Sequence, residues 1–124
     1  MTPRVGEDTD DAATGDASTY STRGDTMTSH ALWVPLEAKP GKEQEVAEFL
    51  RGALPLVQAE PGTKTWYAVQ LGPSSFGIFD TFDDEAGRQA HLNGKVAEAL
   101  IGKADELFST PPQINQLDVL ADKG

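Results

Sequence analysis

Between Phe76 and Gly94, in FGIFDTFDDEAGRQAHLNG, the hydrophobic period of the chain changes across a three-residue acidic cap. Phe76, Ile78, Asp80 and Phe82 alternate along one face, the period-two signature of a strand. Asp83, Asp84 and Glu85 follow, and an Asp at the start of a helix accepts its free N–H groups. Beyond the cap, Arg88 and His91 stand three residues apart and share one helical face. His91 is one of only two histidines. The segment therefore writes a strand, a cap and a helix in sequence. It also sets a titratable base beside a fixed cation, at the mouth of an apolar pocket if the helix packs on its strand.

The rest of the chain is read around that segment. Residues 1–29 are rich in Asp, Thr, Ser and Gly and nearly free of large apolar side chains. Such a composition buries too little surface to offset chain entropy, so a disordered acidic tail is expected. Met27 is a second candidate start. From His30 the pattern changes: Leu32, Val34 and Leu36 alternate against Ala31, Trp33 and Pro35, a first strand with Pro35 expected at a bulge or at the strand end. Helix one is expected from about Lys42 to Ala59, with Val46, Phe49, Leu50, Ala53, Leu54 and Val57 as one stripe and Pro55 kinking or breaking the last turn. Glu60-Pro61-Gly62-Thr63 reads as a turn.

Strand two follows over 64–71, with Trp66 and Tyr67 on opposite faces. Gly72 to Ser75 connects it to strand three, 76–82. A helical region is expected to run to about Ser109, divided at Asn93-Gly94, with Val96, Leu100, Ile101, Ala104, Leu107 and Phe108 as its stripe. Strand four is expected over 113–121. The order β-α-β-β-α-β predicts an α+β, ferredoxin-like antiparallel sheet with two helices on one face, over residues 30–121. The other face carries apolar residues too, which predicts a homodimer through sheet–sheet packing.

Composition narrows the function. The formal net charge of −10 repels nucleic acid and anionic membrane surfaces. The chain has no cysteine, so disulfides and thiolate metal sites are out. Two histidines without a Glu-x-x-His pattern give no metal site, and nucleotide-binding glycine motifs are absent. No apolar run reaches the length of a bilayer span, and no secretory signal is expected. A soluble cytoplasmic protein is the expectation.

The element order, the EPGTKTW turn into strand two and the FGIFDTFDDEAGRQAHLNG segment resemble the antibiotic biosynthesis monooxygenase superfamily over residues 30–121. This resemblance implies a dimeric α/β barrel with an apolar pocket between the sheet and helices of each subunit. It also implies a cofactor-independent monooxygenase that oxidises a quinol or polyketide-like phenolic aromatic with dioxygen, using neither metal nor flavin. The helix histidine of the quinol-oxidising members matches His91, and the tryptophan after the PG turn matches Trp66. Other members are small-molecule binders or stress-associated proteins without chemistry, and others degrade haem. Strand one has no asparagine between His30 and Ala38, and Phe82 stands where a haem-cleaving member would carry tryptophan. Both departures speak against haem degradation.

Several roles stay open in the sequence. His91 is a general base on a phenolic hydroxyl, or a packing histidine bonded to a carbonyl at the Asn93-Gly94 break. Arg88 is its electrostatic company, or an exposed partner of Asp84 or Glu85. Asp80 needs a partner such as His91 or Arg88 if its face is internal, and is a rim charge if it is not. Trp66, Tyr67 and Phe82 are candidate substrate walls, with core packing as the alternative for the first two.

Overall fold

The computed structural model describes residues 29–123. Of the tail expected at 1–29, all but Ser29 lies outside the described residues. The elements are β1 (His30–Glu37), α1 (Glu43–Gln58), β2 (Thr63–Gln70), β3 (Ser75–Phe82), α2 (Glu85–Leu92), α3 (Lys95–Leu107) and β4 (Asn115–Asp118). The strands form one antiparallel sheet in the order β2-β3-β1-β4. The ferredoxin-like layout is as expected. The second helical region is two helices, because the chain breaks at Asn93-Gly94. Within one chain the sheet stays open and does not close into a barrel.

Side chains that alternate along each strand build two different faces. On the helix side, Val34 and Leu36 of β1 meet Phe76 and Ile78 of β3, and Val46, Leu50, Leu100 and Leu107 of the helices cover them. Each such side chain, taken fully out of water, contributes about 1.5–3 kcal/mol. A smaller cluster of Ala53, Val57 and Val96 packs beside it, and Trp66 touches both. On the bare side, Trp33, Phe79 and Tyr67 stand opposite one another across β1, β3 and β2. Tyr67 keeps 56% of its surface exposed. The Trp33 indole lies over Gly77, where a Cβ would approach it to 2.3 Å.

Four local expectations need correction. Pro35 makes neither a bulge nor a strand end, since the β1–β3 register runs through it without a shift. The carbonyls of Ser29 and Glu37, like Pro35 odd-numbered, accept from Val119 and Ser109 on the β4 side. Pairing with β4 stops at Trp33, so the proline deprives no ladder partner of a donor. Pro55 does not end α1, which continues to Gln58. Leu54 and Ile101, assigned to buried stripes, are 44% and 58% exposed. Each lies at the margin of an apolar stripe that the sheet does not reach. Strand four is half the expected length, because β1 offers a free edge only from His30 to Trp33.

Helix α2 is placed by its cap and by a glycine contact. Asp84 accepts from the backbone of Gly87 at 2.8 Å. Gly87 lies so near the Glu60–Thr63 turn that a Cβ on it would stand 2.7 Å from the Gly62 carbonyl oxygen. Backbone cannot yield as a side-chain tip does, so Gly87→Ala has to push α2 away from the turn. We expect a loss of about 1–3 kcal/mol by urea denaturation. Gly52→Ala and Gly102→Ala, where the added methyl meets nothing, are expected to gain up to about 1 kcal/mol by removing backbone entropy. Equal stability of Gly87→Ala and wild type contradicts this account.

Candidate functional site

Three segments deliver one buried cluster. The chain leaves α1 through its C-cap Ala59 and places Glu60 at the head of the turn into β2. Asp80 comes from β3 and points to the helix side, and His91 comes from the last turn of α2. His91 Nδ1 lies 2.6 Å from Glu60 Oε1, and Nε2 lies 2.9 Å from Asp80 Oδ2. His91 is 6% exposed and Asp80 1%. The Thr63 hydroxyl donates to the same Glu60 oxygen at 2.7 Å. Phe82 closes one side of the ring, with centroids 5.4 Å apart.

The proton count follows from this geometry. An imidazole nitrogen facing a carboxylate oxygen at hydrogen-bond distance must carry a proton, or the carboxyl must. With both nitrogens so placed, three groups share two protons, and the form with His91 doubly protonated gives both carboxylates a charge-assisted bond. Burial pushes the imidazolium pKa down. The hydrogen bonds and charges of Asp80 and Glu60 outweigh it, so the His91 pKa ends above its ordinary value. Burial is also the main reason that the Asp80 carboxyl is raised, against the lowering effect of His91.

Among the described residues three buried polar side-chain atoms have no partner: Asp80 Oδ1, Trp66 Nε1 and Arg88 Nε. Trp66 and Asp80 are directly opposed in the β2–β3 register, so their side chains leave the sheet on the same face. One is a donor and the other an acceptor. An unpaired buried polar group is costly, so each of these two atoms calls for a partner.

Two clefts open nearby, and only the second reaches the cluster. One, of about 390 Å³, opens between α1 and β2 and is lined by Leu50, Arg51, Leu54, Trp66, Tyr67 and Phe76 among others. The other, of about 410 Å³, opens at the turn and is lined by Glu60, Thr63, His91 and Lys95 among others. Trp66 and His91 thus line separate clefts.

The structure brings His91 and Asp80 together and sets Trp66 beside them. Phe82 packs on the same ring and Tyr67 borders the cleft that Trp66 lines, whereas Arg88 is engaged elsewhere. Arg88 is buried, but Nη1 donates to the carbonyls of Leu117 and Ala31 at 3.1 and 3.4 Å, and its other arm pairs with Glu85. It ties α2 to β1 and β4. Tyr67 points to the bare face, and Phe82 is fully buried against the His91 ring. The sequence presents Glu60 only as part of a turn. A signal was present: a carboxylate just past a helix C-terminus opposes the helix dipole and so calls for a cation. Among the described residues no cluster of His, Cys, Asp or Glu is arranged to hold a metal ion, and no helix is long and apolar enough to cross a membrane.

No protein-family model and no curated protein matches the chain. Solved structures do. A protein of unknown function from Nitrosomonas europaea is 58% identical, over 78% of this chain and 94% of that one, with a TM-score of 0.76. A "putative antibiotic biosynthesis monooxygenase" from the same organism is 16% identical, over 77% and 94% of the two chains, with a TM-score of 0.68. One of the same description from Caulobacter crescentus is 14% identical, over 76% and 92%, with a TM-score of 0.66.

The cluster fixes the sign of a pH effect. A histidine whose pKa is higher folded than unfolded stabilises fully below the ordinary value of 6.5 and loses that contribution as pH rises through the folded-state value. Asp80, also raised, has the same sign. The melting temperature should fall as pH rises above about 6.5, and His91→Gln should flatten that fall. An unchanged slope in the variant contradicts the cluster.

Proposed function

The chain belongs to the same family as the 58%-identical Nitrosomonas europaea protein and has the fold of antibiotic biosynthesis monooxygenases, and from that premise we propose that it oxidises a quinol or a polyketide-like phenolic aromatic with dioxygen. The observation that carries this reading is the unpaired couple Asp80 Oδ1 and Trp66 Nε1. Both atoms are buried, so a substrate hydroxyl reaches them as the Trp66 indole moves aside, accepting from the indole N–H and donating to the carboxylate. Trp66 also lines the α1–β2 cleft, whose size falls in the range of small-molecule sites.

The chemistry is acid–base. Both His91 nitrogens are engaged, so the base is Asp80, with His91 as the cation that balances the phenolate. Burial raises the Asp80 carboxyl, which makes it a better proton acceptor. The phenolate passes an electron to dioxygen, and recombination followed by O–O cleavage gives hydroxyquinone and water. The quinol supplies all four electrons, so the reaction needs neither metal nor flavin. Arg88 is a positioning residue that holds α2 in place. A second copy of the chain covers Trp33, Phe79 and Tyr67 in a homodimer of facing sheets, and the cytoplasm is the compartment assumed.

A second reading, a small-molecule binder without turnover, is favoured by the same full engagement of His91. Oxygen uptake with menadiol separates the two. Turnover by wild type and a loss of at least about 100-fold in Asp80→Asn and in His91→Ala support the oxygenase. Equal uptake by wild type and variants removes the cluster from the mechanism, and menadiol that raises the melting temperature without oxygen uptake favours the binder. For the dimer, sedimentation should show a two-chain species in wild type and a monomer in Phe79→Glu. A wild-type monomer contradicts it.

A further inference from the structure

We propose that Glu60 is a positioning residue for the acid–base centre: it holds the His91 ring doubly protonated and aimed at Asp80, so that Asp80 Oδ2 is occupied and Oδ1 is left as the reactive oxygen. This rests on the reading of Asp80 as the base.

The argument is one of bonds and charge. A single carboxylate on Nε2 fixes the Nε2–H tautomer but not the charge of an imidazole, because the other nitrogen is free to be bare. Glu60 removes that freedom, since its oxygen is 2.6 Å from Nδ1. It is itself fixed by the Thr63 hydroxyl and by the near contact of Gly62 with Gly87 that docks the turn on α2. The charged groups around the ring are few. Asp80 faces it from β3, Glu60 from the turn after α1, and Lys95 of α3 lines the same cleft. On α2 itself, Arg88 and Glu85 are turned to each other, Arg88 also bonding main-chain carbonyls and Glu85 meeting His30. Without Glu60, Asp80 is the only anion bonded to His91, and Lys95 opposes a second proton on the ring. His91 then sheds that proton at lower pH, and the phenolate loses the cation that balances it.

Glu60→Gln keeps the shape and an acceptor oxygen and removes the charge. We expect the His91 ring, followed by its nitrogen chemical shifts in the unliganded protein, to titrate about 1–3 pH units lower than in wild type. The alkaline limb of menadiol turnover should move by a similar amount, with KM little changed. Glu60→Asp should titrate nearer to wild type than Glu60→Gln does. Thr63→Val, which removes only the hydroxyl that fixes Glu60, should shift the ring in the same direction by less, and it serves if Glu60→Gln does not fold. An unshifted ring in both Glu60→Gln and Thr63→Val overturns the proposal whether or not menadiol is oxidised. A shifted ring without any turnover in wild type upholds Glu60 and removes the oxygenase reading instead.

Discussion

One imidazole held between two carboxylates ties the fold together where its parts would otherwise meet through thin contacts. Glu60 belongs to the turn after α1, Asp80 to a central strand and His91 to the short helix α2. Burying these groups singly is expensive. Together they satisfy each other, and the position of each depends on the other two. Removing one partner from such a set typically costs about 3–5 kcal/mol, because the remaining charges stay buried. The glycine contact between the turn and α2, the Asp84 cap and the Arg88 ties to β1 and β4 all bring α2 to the place where His91 can close the bridge.

Much of this was legible in the sequence, and the reasons for the rest are physical. The change of period at Phe82 and the acidic cap located β3 and α2, and Asp84 is the cap. Asp80 announced itself as a carboxylate on the face of Ile78 and Phe82. Whether that face was internal depended on where the helices lie, which alternation alone does not say. Glu60 was hidden because Glu-Pro-Gly is also an ordinary turn, and its partner lies 31 residues further on. Arg88 looked like company for His91 at a spacing of three. Its long side chain instead reaches the Ala31 and Leu117 carbonyls, partners that local spacing cannot reveal. Pro35 fits mid-strand because a proline's cost depends on which side of the strand lacks a neighbour.

The two faces of the sheet divide the work. The helix side carries the core and the charged cluster, with Trp66 linking the hydrophobic clusters and standing opposite Asp80. The bare side carries Trp33, Phe79 and Tyr67 in register, a row of aromatics better suited to another apolar surface than to water. Solved structures of low identity share this fold, and a shared fold leaves the chemistry to the side chains it carries. On the helix side of this sheet those include a buried acid, the histidine bonded to it, and an indole N–H.

The central claim is that His91 is a doubly protonated ring bonded to Asp80 and Glu60 at neutral pH. Neutron diffraction from deuterium-exchanged crystals tests it most directly. The account predicts deuterium on both Nδ1 and Nε2 of His91 and none on Asp80 Oδ1. A bare ring nitrogen with both carboxylates unprotonated, or a ring turned out into solvent, contradicts it.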